Sequence, residues 1–149
     1  MAFLGCFNIS ASGMSAQRMR MDIAAENIAN IDTTRTAEGG PYRRKKVVLE
    51  SYGNSSFDEA LRKAAAGGGI ASSNAGVRVA GIVEDDRDFK RVYDPSHPDA
   101  DGQGYVNMPN VDLLKETVDS MSATRSYEAN VTALNAMKLM AQKALEIGK

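Results

Sequence analysis

The stretch "AAENIANIDTTRTAEGGPYRRKK", residues 24–46, contains the change from helix to strand that decides the fold. A helical pattern ends in two asparagines, threonines follow, and a Gly-Gly-Pro corner leads into a basic run. Asn27 and Asn30 are expected to cap the helix or to bond across to neighbouring backbone. We interpret the stretch as a joint between a helical layer and a β-rich segment. The residues assigned to the joint are Thr33, Thr34, Gly39, Gly40 and Pro41.

The residues before the joint predict a helix over about 8–31. Its apolar side chains repeat at heptad spacing in two sets on opposite sides. The first set is Phe7, Met14, Met21 and Ile28, and the second is Ile9, Ala16, Met19 and Ile23. A helix with two opposed apolar stripes is expected to be covered on both sides. The alternative is a helix buried inside a compact domain.

The end of the chain predicts a second, longer helix over about 110–147. Asn110 is its expected N-cap, Asp112 favours the first turn, and Gly148 suits the position after the last turn. The apolar stripe changes sides along this helix. Its first part is Val111, Leu114, Val118 and Met121, and its second is Tyr127, Val131, Leu134, Ala141 and Leu145. No Pro or Gly lies at the change to cause a kink, so we expect one straight helix with two different partners.

The segment between the helices is rich in short β-like runs. "KVVLES", "GVRVAGIVE" and "FKRVYD" are separated by Gly-, Asp- and Pro-rich turns. A helical period is present only at 57–66, and "AAAGGGIASSNAG" (64–76) is expected to be a flexible linker. The fold class is therefore α+β, with N- and C-terminal helices paired in a coiled-coil-like layer around a small β-rich middle segment. The expected divisions are 1–33, 34–109 and 110–149.

The composition excludes several functional classes. The formal net charge is −1, which gives the whole chain no electrostatic attraction to nucleic acid or an anionic membrane. The single cysteine, Cys6, has no internal disulfide partner. No apolar run reaches the roughly 18 residues of a membrane span. The start "MAFLGCFNIS" has neither a positive n-region nor a sustained apolar h-region, so no cleaved secretory signal is expected.

Two segments resemble ligand loops but lack required residues. "HPDADGQGYVNMPN" (97–110) places Asp99, Asp101 and Gln103 at calcium-loop spacing before Gly104, but Asn110 stands where a bidentate glutamate is needed. A tight turn is the expected structure. The "GGG" at 67–69 has no following lysine to reach a phosphate. No metal and no cofactor are therefore predicted.

His97 is the only histidine, and "DPSHPD" offers it neither a nucleophile nor a paired carboxylate. No catalytic residue is assigned, and the protein is not expected to be an enzyme.

The basic run "RRKK" at 43–46 raises the question of nucleic-acid binding. Only Tyr42 accompanies it as a stacking residue, so a solvated strand or a charged contact to an acidic neighbour is favoured. Strand alternation would place Arg43 and Lys45 on one face and the other two residues opposite. "VEDDRD" (83–88) is the acidic segment that could serve as the complement.

Two long blocks resemble a known family. "SGMSAQRMRMDIAAENIANIDTTRTAEGGPYRRKKVV" (12–48) is similar to the N-terminal signature of bacterial flagellar rod proteins, with Asn-Ile-Ala-Asn followed by a Thr pair. "VYDPSHPDADGQGYVNMPNVDLLKETVDSMSATRSYEANVTALNAMKLMAQKALEIGK" (92–149) resembles proximal rod proteins of the FlgC type, including the Asp-Pro-Ser-His-Pro turn and the Arg-Ser-Tyr-Glu-Ala-Asn centre. Together the blocks cover about two thirds of the chain.

The resemblance implies a structural axial protein that polymerises helically in the proximal rod of the basal body. This rod is the drive shaft that transmits torque across the periplasm to the hook. Export through the flagellar type III apparatus, without a cleavable signal peptide, is implied as well. The implied partners are copies of itself, other rod proteins, the membrane (MS) ring or its adaptor at the rod base, and the export apparatus in transit. No nucleic acid and no small-molecule substrate are implied.

If the terminal helices pair, one stripe on each is used internally and the others must contact neighbouring subunits. The residues assigned to the subunit interface and helix pairing are Met14, Met21, Ile23, Asn27, Ile28, Asn30, Val118, Met121, Arg125, Tyr127, Asn130, Val131, Leu134 and Leu145. With much apolar surface uncovered, the termini are expected to be largely disordered before assembly. The alternatives are a soluble helical adaptor or chaperone that binds one partner through its C-terminal helix, and, third, a small hydrolase using His97.

Overall fold

The computed structural model describes residues 2–37, 39–53 and 75–147, together with the isolated positions 61 and 65. Its elements, in chain order, are α1 (Ala2–Ala29), β1 (Lys45–Gly53), β2 (Ala75–Glu84), β3 (Lys90–Tyr93), β4 (Tyr105–Met108) and α2 (Leu113–Ile147). The α+β class, with terminal helices that pack on each other and strands between them, is confirmed.

The predicted start of the C-terminal helix was wrong by three residues. α2 begins at Leu113, and Asp112 is its cap, because Asp112 Oδ1 accepts hydrogen bonds from the backbone N–H of Leu114 (3.0 Å) and Lys115 (3.5 Å). Asn110 does not cap the helix; its side chain bonds to other segments. The N-terminal helix also differs from its predicted range, since it begins at Ala2 and ends at Ala29. Gly148 lies outside the described residues.

The strands form two antiparallel pairs. In the first, β1 pairs with β2 from Lys45 opposite Glu84 to Gly53 opposite Ala75, with a register shift between Val48 and Leu49. The three predicted strand runs lie in β1, β2 and β3.

The strand β4 was not predicted, because its four residues lie within segment 97–110, for which a tight turn was expected. It pairs with β3, and Tyr93 and Tyr105, which face each other in the register, make an edge contact with ring centroids 5.2 Å apart. Gly104 precedes β4 with a φ of +80°, and a Cβ there would lie 3.0 Å from the Tyr93 ring. The turn therefore requires glycine at this position.

α1 and α2 pack against each other in antiparallel directions. Gly13, near the middle of α1, lies beside Asn130, and Asn27, near the C-terminal end of α1, bonds to Glu116. A Cβ at residue 13 would stand 2.9 Å from Asn130 Nδ2, so the glycine permits the close approach of the helices. Between these contacts the Thr124 hydroxyl lies 3.3 Å from Met21 Sδ.

The inward face of α2 is one continuous heptad seam. Its buried and half-buried positions along the seam are Glu116, Ser120, Ala123, Tyr127, Asn130, Leu134, Met137 and Ala141. The inward-facing side of α2 stays the same along the helix. Its first turns carry polar residues such as Glu116 and Ser120, and its later turns carry apolar ones, so the apolar stripe alone changes sides. Of the two predicted stripes, the second therefore faces α1 over most of its length, whereas Leu114, Val118 and Met121 face outward.

Among the described residues, the apolar core is thin. Its buried members there are Ala16, Ile23, Ala24, Tyr42, Val106 and Ala123. Large apolar side chains lie instead on the surface of α2, where Leu114 is 74% exposed and Leu145 is 76% exposed. The described residues thus leave much of their apolar surface uncovered.

Two predictions for the middle segment fall mostly outside the described residues. Of the helix predicted at 57–66, only Leu61 and Ala65 are described, and both are helical. Of the linker predicted at 64–76, only Ala65, Ala75 and Gly76 are described. Among the helices of the described part, none combines the length and hydropathy that a membrane crossing requires.

Candidate functional site: a polar junction between both helices and the first strand

The joint after α1 is a hydrogen-bonded loop. Gly39 and Gly40 have φ values of +89° and +87°, which L side chains rarely adopt. The backbone N–H of Thr36 donates to Gly40 O at 2.9 Å, and that of Tyr42 donates to Thr33 O at 3.0 Å. These bonds reverse the chain and bring the segment before β1 back alongside the end of α1. With Pro41 and neighbouring residues, the glycines line an open groove of about 460 Å³.

Asn27 connects the end of α1 to this returning segment. Its amide nitrogen donates to Lys45 O and to Glu116 Oε2, both at 2.9 Å. Its amide oxygen accepts from the Tyr42 hydroxyl and from the Lys45 N–H, also both at 2.9 Å. The side chain is 1% exposed. Because two donors and two acceptor positions are all an amide has, Asn27 is fully hydrogen-bonded.

A buried ion pair joins the same segment to α2. Arg44 Nε lies 2.5 Å from Glu116 Oε1, and the two residues are 6% and 1% exposed. Arg44 also reaches Asp119 on the next turn of α2, at 3.3 Å, and Asp85 just after β2, at 3.7 Å. The guanidinium therefore links α2 to the residues that flank both strands of the first pair, Arg44 before β1 and Asp85 after β2.

Asp85 and Asn110 hold the loops around this ion pair. The Asp85 carboxylate lies 2.7 Å from Arg87 and 2.8 Å from Lys46, and hydrogen bonds from these two cations hold its pKa well below the usual range. The Asn110 side chain accepts from the Arg44 N–H at 2.8 Å and donates to the carbonyls of Asp85 and Arg87. The residue first expected to cap α2 thus bridges three segments.

We call the set Asn27, Tyr42, Arg44, Asp85, Asn110 and Glu116 the polar junction. Its buried polar atoms are satisfied: among the described residues that are not exposed, no buried side-chain nitrogen or oxygen lacks a hydrogen-bond partner. A buried polar network that is fully satisfied makes the geometry around it specific. The arrangement is structural in character.

Burial raises the pKa of Tyr42 to about 12, and the nearby carboxylates of Glu26 and Glu116 add to the effect. The phenol O–H donates a hydrogen bond to Asn27 Oδ1 at 2.9 Å. Tyr42 is therefore held as a neutral donor inside the junction.

The interpretation of the basic run as a contact to acidic neighbours is confirmed. Arg44 and Lys46 both contact Asp85, which lies in the predicted acidic segment 83–88. β1 begins only at Lys45, so Arg43 and Arg44 precede the strand, and Arg44 is buried while Lys46 is exposed.

Glu116 was missed as a functional residue. The available signal was its position in the heptad seam of α2, where a charged residue needs a partner. Arg44, for which only the acidic segment 83–88 was considered as a partner, was the matching half of the pair.

The residues assigned to helix pairing and the subunit interface fall into three groups. Ile23 and Asn27 are buried. Half-buried are Met14, Met21, Ile28, Asn30, Tyr127, Asn130, Val131 and Leu134. Exposed are Val118, Met121, Arg125 and Leu145. Of the joint residues, Thr34 donates a hydrogen bond to Asp99 at 2.8 Å, which ties the joint to the turn before β4.

The other candidate sites are turns or lie outside the described residues. His97 Nδ1 accepts the Asp99 N–H at 3.1 Å, and Asp101 Oδ1 accepts the N–H groups of Gln103 and Tyr105. These groups stabilise the turn that was expected. In the described part of the chain, no group of three or more His, Cys, Asp or Glu side chains could hold a metal ion. The glycines at 67–69 are not described.

A helix pair with a satisfied polar centre and exposed apolar outer faces is typical of a structural protein. Two family models support this class. The one described as "Flagella basal body rod protein" matches residues 7–35, and the one described as "Flagellar basal body rod FlgEFG protein C-terminal" matches residues 103–147.

Curated relatives specify the family. The chain is 57% identical over 146 residues to the flagellar basal-body rod protein FlgC of Bacillus subtilis, and the match covers 95% of each chain. It is 41% identical over 152 residues to that of Borreliella burgdorferi, covering 99% of this chain and 98% of the relative. It is 42% identical to that of Salmonella typhimurium over the full length of both. The chain belongs to the FlgC family of flagellar basal-body rod proteins, a family of structural rod components and not of enzymes.

The first prediction concerns the buried ion pair. Glu116→Ala leaves Arg44 charged and buried without its main partner, and we expect it to lower the free energy of unfolding by about 3–5 kcal/mol. The measurement is denaturant unfolding followed by far-UV circular dichroism, at a protein concentration where the helical signal has reached its plateau.

Asp119→Ala is the matched control, because Asp119 also contacts Arg44 but is partly exposed, and it should cost about 0–1 kcal/mol. The double variant Arg44→Met, Glu116→Leu should recover most of the loss. Equal effects of Glu116→Ala and Asp119→Ala would contradict the central role of the pair.

The second prediction concerns pH. The pKa of Tyr42 is raised from 10.0 to about 12 in the folded state, so folding favours the protonated phenol. Its stabilising contribution is fully present below pH 10 and is lost as the pH rises from 10 to 12. In Tyr42→Phe this loss should disappear from the unfolding free energy, whereas Tyr93→Phe, which removes an exposed tyrosine, should retain it. Identical alkaline profiles for Tyr42→Phe and the unsubstituted protein would disprove the assignment.

Proposed function

We propose that the protein polymerises helically as a subunit of the proximal rod, the shaft that transmits torque across the periplasm to the hook. One observation carries the proposal: the polar junction is satisfied within the chain, whereas the outer apolar side chains of α2 are not covered by any described residue. A surface of this kind marks an interaction site. In a family of rod components, we expect neighbouring subunits to cover these apolar side chains of α2.

We propose that the three chain segments 1–33, 34–109 and 110–149 have different structural roles in the rod. The terminal segments form the helical layer of the rod, and the middle segment forms a β-rich layer attached to it. The polar junction lies where these layers meet, because Asn27, Arg44 and Glu116 come from the end of α1, the segment before β1 and the start of α2. Since each of these groups is buried and bonded, torque applied to one layer would be passed to the other through a stiff connection.

The partners we propose are copies of this chain, other rod proteins and, at the rod base, the MS ring or its adaptor. Export through the flagellar type III apparatus, without cleavage of a signal peptide, would bring the subunit to the basal body. Neither catalysis nor a small-molecule ligand is part of the proposal.

The third prediction tests rod function in cells. Expression of this chain in a Bacillus subtilis strain without its own FlgC should restore swimming, and isolated basal bodies should contain the chain. The variant with Val118→Asp and Met121→Asp should fail to incorporate, because burial of each apolar side chain contributes about 1.5–3 kcal/mol and an uncompensated charge replaces it.

Export of the same variant, measured in the culture medium, serves as the control for synthesis and stability. Normal swimming by the doubly substituted variant would remove the basis of the proposal. A soluble monomer that captures a single partner and never enters basal bodies would favour the adaptor alternative.

We also propose that the helices fold fully only on assembly. Ordering each residue costs roughly 1–2 kcal/mol of backbone entropy, and the few buried apolar side chains described above can offset only part of that cost. Neighbouring subunits would supply the missing apolar contacts. Unfolded termini would also suit passage through a narrow export channel.

The fourth prediction is therefore an amide-exchange experiment. In dilute solution, residues 14–28 and 118–145 should exchange nearly as fast as in the denatured chain, which serves as the reference. In assembled material the same residues should become strongly protected. Strong protection in the dilute monomer would contradict folding on assembly.

A further inference from the structure

The outer face of α1 is one regular stripe of small and charged residues. From residue 9 to the end of the helix, the exposed positions are Ala11, Ser15, Arg18, Asp22, Ala25 and Ala29. They repeat at alternating steps of four and three, which keeps them on one side of a helix. The buried positions Ala16, Ile23 and Asn27 lie on the opposite side, toward α2 and β1.

The outer face of α2 carries a stripe with the same spacing. Its exposed members are Leu114, Val118, Met121, Arg125, Glu128 and Thr132. This stripe lies opposite the heptad seam that contacts α1. The two stripes therefore lie on the two outer sides of the helix pair.

We propose that these stripes are the two halves of one contact, in which α1 of one copy packs antiparallel on α2 of the next copy with Asp22 opposite Arg125. The inference rests on the proposed rod function and specifies its partner as a second copy of this chain. It also specifies the orientation and the register of the contact.

The charges are complementary in this register. Asp22 lies opposite Arg125, and one turn away Arg18 of the same helix lies opposite Glu128. Within the part of the chain that the structure describes, none of these four side chains forms an ion pair. All four are exposed and thus available to a neighbouring copy.

The side-chain sizes are complementary as well. Ala25 lies opposite Met121, and Ala29 lies opposite Val118. Large side chains of α2 thus face positions of α1 that leave space for them. Met121 and Val118 are more than half exposed in the single chain, at 53% and 56%.

Other arrangements of the same stripes are less favourable. A shift by one step in one direction places Asp22 opposite Glu128, and a shift in the other direction places Arg18 opposite Arg125. Like charges opposite each other disfavour both registers. A parallel arrangement about Asp22 and Arg125 places Arg18 opposite Met121 and leaves Glu128 opposite an alanine.

The contact joins two different surfaces, so two joined copies leave one surface of each kind unused. A second copy bound through its α2 stripe still presents its own α1 stripe to a third copy. Heterologous contacts of this kind generate open helical assemblies when the rotation between copies does not close into a ring, as the proposed rod requires. All copies in such an assembly point in the same direction, as a shaft requires.

The fifth prediction tests the register by disulfide formation in isolated basal bodies. Two differently tagged versions of the chain are co-expressed, both with Cys6→Ser, one with Ala25→Cys and the other with Met121→Cys. Mild oxidation should join the two tags. In the control, Glu128→Cys replaces Met121→Cys; this residue lies about 10 Å farther along the helix, beyond disulfide reach, so the yield should be lower by at least about tenfold.

Charge reversal provides an independent readout. Arg125→Glu should lower incorporation into basal bodies, and the added change Asp22→Arg in the same chain should restore it. Lys138→Glu, a reversal on the same helix away from the stripe, is the matched control and should incorporate normally. Restoration by a second charge change separates a contact between copies from a simple loss of folding.

The outcomes distinguish this contact from the proposed function. Basal bodies that contain both tagged chains but yield no adduct between positions 25 and 121, or equal adducts in the control, would overturn the contact and leave rod function in place. Absence of the chain from basal bodies would overturn both. Joined tags together with charge-reversal rescue would establish the antiparallel register.

Discussion

The buried ion pair between Arg44 and Glu116 is the interaction on which the arrangement of the chain depends. It joins α2 to the segment before β1, and Asn27 joins the same carboxylate to the end of α1. A buried charge without a partner is costly. Both helices and the first strand must therefore meet at this point for the pair to form. Few apolar side chains share this role, since the largest fully buried residues include Glu116 and Asn27 themselves.

The distribution of polar and apolar groups explains why this chain suits an assembly. Its centre is polar and satisfied, while large apolar side chains such as Leu114 and Leu139 face outward. The hydrogen-bonded centre gives the subunit a defined geometry, because each group there has a direction as well as a partner. The outer side chains, whose attraction is not directional, remain for neighbours. Membership of the FlgC family of rod proteins agrees with this division between a hydrogen-bonded polar centre and exposed apolar side chains on the surface.

Sequence reasoning succeeded where a pattern repeats locally. The two terminal helices, three of the strands and the family were all predicted from spacing and motifs. It failed where one side chain had two possible partners. Asn110 has the chemistry of a helix cap, but Asp112 caps α2 and Asn110 bridges the loops at Arg44 and Asp85. Likewise, Arg43 to Lys46 were all assigned to a strand, yet the strand begins at Lys45 and Arg44 enters the interior.

The sequence by itself determined the helices, the joint with its paired glycines, and the excess of apolar surface at the C-terminal end, because each depends on residues that are near one another along the chain. Tertiary structure alone decided which stripe of α2 faces α1, and that Glu116 meets Arg44 across 72 positions. Long-range pairs of this kind depend on how the helices pack. Packing here includes a close approach at Gly13 and the pairing of buried charges. The heptad position of Glu116 shows that it faces inward, but no periodic signal identifies Arg44 as its partner.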